Sequence, residues 1–246
     1  MDLLQACVLV AGGFVCGVIN AASGGGSFVT LPLLLWAGLP PQIANATNRV
    51  SIVLQCATGM ATFHQHRVRP WGHLAGIIPF AVAGSIAGTL LASRVNETVF
   101  RWAAAVLMLA MVFTIFIKPE RWMREHAEGR VRLAHMPMYF LISVYGGFLQ
   151  AGVGVIMLGA FVLVGGFDVV RGNALKFGLN LIFTAVALLL FAQAGQVQWG
   201  PGLFLAAGSM VGGAVGARMV ILKGAQWVRY LVILGALAAV IKLLRG

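Results

Sequence analysis

Two short stretches of this chain set glycines and polar side chains into otherwise apolar sequence. The first reads Asn20-Ala21-Ala22-Ser23-Gly24-Gly25-Gly26-Ser27 and the second Gln150-Ala151-Gly152-Val153-Gly154. A glycine inside a helix costs about 1 kcal/mol relative to alanine. Three in succession therefore predict that a helix opens or ends, with the backbone leaving helical geometry at Gly25 or Gly26. A helix restarting at Ser27 would turn its positive dipole end and its unpaired N–H groups back at the break, which is the chemistry of anion binding. The second break has two glycines and no hydroxyl, and carries the same signal more weakly. Close packing through small residues is the alternative reading of both.

A second constellation follows each break. Asn45-Ala46-Thr47-Asn48-Arg49 and Asn173-Ala174-Leu175-Lys176 each open a long apolar segment with an amide and place a cation about one turn later. A cation there either snorkels to an interface or faces a polar cavity. Its occurrence in both places, accompanied by Asn and Thr, favours the cavity. The candidate substrate-binding set is therefore Ser23, Gly24, Gly25, Gly26, Ser27, Asn45, Thr47, Asn48, Arg49, Gly152, Gly154, Asn173 and Lys176. In the first break, Asn45 is expected close to the glycines.

Acidic residues speak by their scarcity. Asp2, Glu97, Glu120, Glu125 and Glu128 sit at ends or in connections, and only Asp168 lies near an apolar element, placed to cap the next helix or to pair with Arg171. A cation transporter or proton relay places carboxylates inside its bundle. A cationic and amidic interior suits an anion instead. His64 and His66 are two apart and point to different helix faces, so a metal site with His73 is not expected. Cys7, Cys16 and Cys56 lie in apolar stretches without ligand or disulfide spacing and read as small buried hydrophobes. No nucleophile elbow, Walker motif, HExxH or carboxylate pair occurs, so neither an enzyme nor a cofactor is expected.

The elements that hold these residues follow from composition. Of 246 residues, 60% are hydrophobic and only 9% charged, against roughly a quarter charged in soluble domains. Long, continuous apolar runs exclude the alternating pattern of barrel strands and require α-helices in lipid. The segments read as 3–22, 27–37, 43–63, 74–93 and 98–117, then 137–151, 155–165, 172–193, 200–222 and 227–244. The expected fold is thus an all-α integral membrane protein with about eight to ten membrane segments. At about eleven residues, 27–37 and 155–165 are too short to cross a ~30 Å core, and must re-enter or meet inside the membrane. No Lys or Arg precedes the first apolar run, so that run is expected to be retained rather than cleaved as a signal.

At an offset of 128 residues Gly24 falls on Gly152, Gly26 on Gly154, Gly38 on Gly166, Asn45 on Asn173 and Ala46 on Ala174. This divides the chain into a first repeat (1–117), a linker (118–136) that includes a candidate interfacial helix, and a second repeat (137–246). The net charge of +11 lies in the connections and sets orientation rather than nucleic-acid binding. Arg67, Arg69, Lys118, Arg121, Arg124, Arg130, Arg132, Arg218, Lys223 and Arg229 fall on one face, expected to be cytoplasmic. Arg94, Arg101, Lys242 and Arg245 fall on the other. The two copies then have inverted topology, and Gly-broken segments in corresponding positions point to a transporter's binding site.

The glycine-rich Gly24-Gly25-Gly26-Ser27-Phe28, the following Leu31-Pro32-Leu33-Leu34, and Gly38-Leu39-Pro40 leading to Ala44-Asn45-Ala46-Thr47-Asn48 resemble the sulfite exporter TauE/SafE family, with a degenerate copy over 146–176. That resemblance implies a bacterial inner-membrane permease exporting sulfite, sulfoacetate or a related sulfonate or oxyanion. Its partners would be the small anion and the bilayer, with the oligomeric state, monomer or homodimer, left open. An anion channel of the same fold and a membrane-embedded subunit of a larger complex are the rival readings.

Overall fold

The computed structural model describes the backbone of residues 1–114 and 129–245, and side chains of residues 1–106 and 129–224. Regular structure among the described residues is helical throughout, in nine main elements: α1 (Leu3–Ala22), α2 (Ser27–Trp36), α3 (Pro41–Gln65), α4 (Ile78–Arg94), α5 (Glu97–Thr114), α6 (Met136–Phe148), α7 (Val153–Gly159), α8 (Val169–Gln193) and α9 (Trp199–Arg245). Asp2 and Asp168 cap α1 and α8, each side chain accepting from a backbone N–H three residues on. Asp168 also pairs with Arg171 Nε at 3.5 Å. It does both things expected of it.

Within α9 the predicted segments 200–222 and 227–244 remain two helices, joined across a kink where Gly224 takes φ 57° and ψ −145°. The predicted segment 155–165 begins two residues early as α7 and continues as a π turn over Ala160–Val164. The end of the 98–117 segment and the proposed interfacial helix of the linker lie outside the described residues.

Among the described residues, three helices are long and apolar enough to cross a membrane: Leu3–Ala22, Val169–Gln193 and Trp199–Gly224. α3 matches α8 at 25 residues, but Asn45, Thr47, Asn48, Arg49, Ser51 and Gln55 lower its hydropathy. Those six are all buried, whereas Leu3, Trp36, Leu91, Trp102, Leu189, Leu203 and Leu222 are exposed. Polar groups inside and apolar groups outside suit a protein solvated by lipid. Cys16 and Cys56 are buried as expected, whereas Cys7 is exposed on this apolar exterior.

The path at each break is a helical hairpin. Gly26 sits on Cys16 and Asn20, and Gly12 on Leu33, so α2 doubles back along α1. Likewise Gly146 touches Val153 and the ring of Tyr139 lies 5.2 Å from that of Phe161, so α7 and its π turn double back along α6. Each hairpin is held by a helix from the far half of the chain. α1 packs on α9 with backbone contact at Gly13, Gly17, Gly208 and Gly212, and α6 packs on α4 at Gly84, Gly88 and Gly147. α3 and α8 lie side by side, α3 also packing on α2 and α8 on α6 and α7.

Candidate functional site

The two breaks touch. Gly24 takes φ +86°, and a Cβ placed there would lie 2.1 Å from the carbonyl carbon of Gly154. A Cβ on Gly154 would in turn meet the Cα of Gly24 at 2.6 Å. Only glycine permits both the left-handed turn and this approach of backbone to backbone. The left-handed turn falls at Gly24, one residue before the positions expected; Gly25 also lies outside both helices, as the triplet suggested, and only Gly26 departs from that expectation. Gly26 is already helical, with φ −57° and ψ −31°, because it must pack on the Cys16 carbonyl. Gly25 faces more open space, with nothing closer than 3.4 Å to a Cβ placed there. The N–H groups of Gly25, Gly26 and Ser27 donate to none of the described residues, as expected for the start of α2. In the second break Gly152 also turns with positive φ, +76°.

Both cations are buried, Arg49 completely and Lys176 to within 2%. That excludes snorkelling for either. Lys176 Nζ donates to the Asn20 carbonyl at 2.7 Å, to the Ala21 carbonyl at 3.3 Å and to Asn173 Oδ1 at 2.6 Å. Arg49 Nη2 donates to the Gly147 carbonyl at 2.7 Å, and Nη1 to Gln150 Oε1 at 3.1 Å. Each cation thus sits on the carbonyl end of the first helix of the opposite half's hairpin, where the macrodipole is negative. Their faces also meet aromatic rings, Arg49 at 5.0 Å from the Phe191 centroid and Lys176 at 5.2 Å from that of Phe177.

The amides follow the same exchange. Asn45 does not reach the first break: its Nδ2 donates to the Phe148 carbonyl at 3.0 Å and its Oδ1 accepts from the Gln150 N–H at 3.3 Å, both in the second break. Asn48 reaches the first instead, donating to Ser27 Oγ at 3.3 Å. Asn173 supports Lys176 and donates to the Val169 carbonyl. Ser23 Oγ donates to the Ile19 carbonyl, and Thr47 Oγ1 accepts from the Gln198 N–H. Those two candidates serve a helix end and a connection.

Three buried residues outside the candidate set complete the cluster: Gln150, which opens the second break, and Asn180 and Thr184, which the sequence reading did not single out. Gln150 Nε2 donates to Asn180 Oδ1 at 3.0 Å, and Thr184 Oγ1 donates to the same oxygen at 3.0 Å. Lys176, Asn180 and Thr184 are four apart on α8, a polar stripe on one helix face, and that spacing was the available signal. The arrangement gathers amide, hydroxyl and guanidinium groups around the two breaks, in a place without a described carboxylate. Among the described residues no group of His, Cys, Asp and Glu has metal-binding arrangement.

At one end of the molecule lies a basic cavity of about 450 Å³ lined by Arg67, Arg69, His73, Asp168 and Arg171. A smaller one of about 280 Å³ is lined by Arg130, Arg132 and His135 on the other side of the turn at Gly165–Gly166. These charges belong to the set assigned to the cytoplasmic face, apart from Asp168 and Arg171.

Comparison with known proteins points to membrane transport. The chain is 30% identical over 238 residues to a probable membrane transporter protein of Haemophilus influenzae, covering 95% of this chain and 91% of that protein. It is 30% identical to a probable membrane transporter protein of a Sinorhizobium species, covering 96% and 91%. With the probable membrane transporter protein YfcA of Escherichia coli the identity is 27%, covering 94% and 86%. No solved structure matches the chain significantly. The model of the sulfite exporter TauE/SafE family matches residues 9–243, and the chain belongs to that family of membrane transporters.

Proposed function

We propose that the protein is a secondary transporter that exports a small sulfur-containing anion, such as sulfite, sulfoacetate or a related sulfonate or oxyanion, across a bacterial inner membrane. The observation that carries the reading is the contact of Gly24 with Gly154, flanked by buried Arg49 and Lys176 and the Gln150–Asn180–Thr184 network. The substrate meets the unpaired N–H groups at the start of α2, reached through Gly25 rather than Gly26, because Gly25 has room beside it.

The two halves act as inverted repeats, with the α1–α2 and α6–α7 hairpins re-entering from opposite faces. Support comes from corresponding features 128 residues apart: α3 and α8 at 25 residues each, and positive φ at Gly24 and Gly152 and at Gly38 and Gly166. An anion that draws Arg49 from the Gly147 carbonyl, or Lys176 from the Asn20 carbonyl, loosens the hold of one half on the other half's hairpin. Substrate occupancy is thereby coupled to hairpin movement.

A thermal-shift screen of the purified protein against sulfite, sulfate, thiosulfate, sulfoacetate and taurine tests the reading. Sulfite or sulfoacetate should raise the melting temperature, and zwitterionic taurine should do less. Stabilisation by none of the anions would refute it. Stimulation of efflux by substrate on the far side of a proteoliposome membrane is expected of a transporter and absent from a channel.

A further inference from the structure

Most buried polar groups of α3 have protein partners: Asn45, Thr47 and two guanidinium nitrogens of Arg49 are bonded as described, and Thr58 Oγ1 donates to the Met210 carbonyl at 3.0 Å. Five buried atoms do not: Asn48 Oδ1, Arg49 Nε, Ser51 Oγ and both polar atoms of Gln55, Nε2 and Oε1, have no hydrogen-bond partner among the described residues. The Ser51 and Gln55 side chains are completely inaccessible.

Spacings of three and four residues put Asn48, Ser51 and Gln55 on one stripe of α3, about 10 Å long at ~1.5 Å per residue. One end of the stripe is the first break, where Asn48 donates to Ser27 Oγ. From there it follows the seam with α9: Ser209 Oγ donates to the Ser51 carbonyl at 3.1 Å, and Gly213 lies against Gln55 Cγ, where a Cβ would come within 2.7 Å. The stripe leads toward the end of α3 that carries Arg67 and Arg69.

A carboxamide buried in a membrane bundle with no partner weakens the fold, and leucine or methionine would fill the same volume without that penalty. The seam is otherwise built for close contact, with glycine at Gly213 and Gly17 in backbone contact beside it. We infer that Ser51 and Gln55 form a transit site for the anion between the glycine break and the Arg67 end of the protein, with Gln55 Nε2 and Ser51 Oγ donating to its oxygens. The donors are neutral, so a dehydrated oxyanion is recognised there without being held tightly, which passage requires. This inference rests on the permease reading above.

Gln55→Leu, Gln55→Met and Ser51→Ala are compared with wild type in three measurements: melting temperature, the melting shift induced by sulfite and by sulfoacetate, and efflux of each anion from proteoliposomes. The Gln55 variants should melt at or above the wild-type temperature and keep the anion-induced shift, while efflux falls at least tenfold. Ser51→Ala should lower efflux severalfold on an intact fold, and it tests the route if neither Gln55 variant folds. Wild-type efflux in the folded variants would overturn the transit site and leave the permease reading standing. Loss of the anion-induced shift in step with efflux would also overturn it, by making these residues supports of the central site. Wild-type protein that moves neither anion would overturn the permease reading, and the transit site with it.

Discussion

Gly24 and Gly38 offer a controlled comparison, because the same substitution meets nearly the same backbone in different surroundings. Their φ angles are +86° and +89°. A side chain in this left-handed region costs ~1–2 kcal/mol, so Gly24→Ala and Gly38→Ala share that strain. Nothing lies within 4 Å of a Cβ at Gly38, whereas at Gly24 it would lie 2.1 Å from the Gly154 carbonyl carbon and 2.5 Å from the Val155 nitrogen. Both neighbours at Gly24 are backbone and cannot swing aside, so an overpacking cost of ~1–3 kcal/mol adds to the strain. Gly38→Ala should therefore lose about 1–2 kcal/mol and Gly24→Ala roughly 2–5 kcal/mol. Melting curves of the two purified variants should show the larger drop for Gly24→Ala. Only that variant should also lose the sulfite-induced shift, since pushing the hairpin tips apart disturbs the site. Equal melting temperatures and equal anion responses would refute the contact between the breaks, and with it the placement of the site.

Arg49→Gln and Lys176→Gln should each abolish anion-induced stabilisation while the protein still folds, and wild-type affinity in both would remove the cations from the site. Gly25→Leu should fold and lose anion binding, because its side chain has room but covers the α2 N–H groups, whereas Gly26→Leu should disrupt the fold against Cys16; the same outcome for both would argue against the Gly25 approach. In a cysteine-free background, Arg69→Cys and Ala194→Cys should react with an impermeant thiol reagent from opposite faces, and labelling from one face would remove the inverted topology. Efflux from proteoliposomes should quicken when a potassium gradient makes the interior negative, and indifference to the potential would show that the transported species carries no net charge.

The first break was legible because three successive glycines penalise a helix more than apolar sequence around them can offset. Which glycine turns was not legible, since that depends on what each one touches: Gly26 is held helical by Cys16, and Gly24 is turned against Gly154. The burial of Arg49 and Lys176 removed the snorkelling alternative, but their partners lay 98 and 156 residues away in the chain. Treating each half as a unit therefore sent Asn45 to the wrong break. The exchange of partners between halves follows from α1 packing on α9 and α6 on α4, and no local pattern encodes it. Asn180 and Thr184 were within reach of the sequence, through their four-residue spacing from Lys176. The π turn after α7 was not, because the apolar run over Ala160–Val164 would serve an α-helix equally well.

The electrostatics of the core bear on what it can carry. Arg49 and Lys176 are the only buried charged side chains among the described residues, and the described acids Asp2, Glu97 and Asp168 all lie outside the core. Two helix carbonyl ends supply part of the missing counter-charge, at roughly half an elementary charge each. They leave about one positive charge unbalanced in a low-dielectric interior. A carboxylate there would have balanced the cations and made the core neutral. Its absence from the described core leaves the transported anion as the balancing charge, so that in the proposed transporter binding relieves an imbalance that the empty site retains. An anion leaving a cell with a negative interior also gains ~2.3 kcal/mol per charge per 100 mV. In the proposed exporter no titratable relay is then needed to drive the anion out, and a core of amides, hydroxyls and two helix-bound cations would be sufficient chemistry for that task.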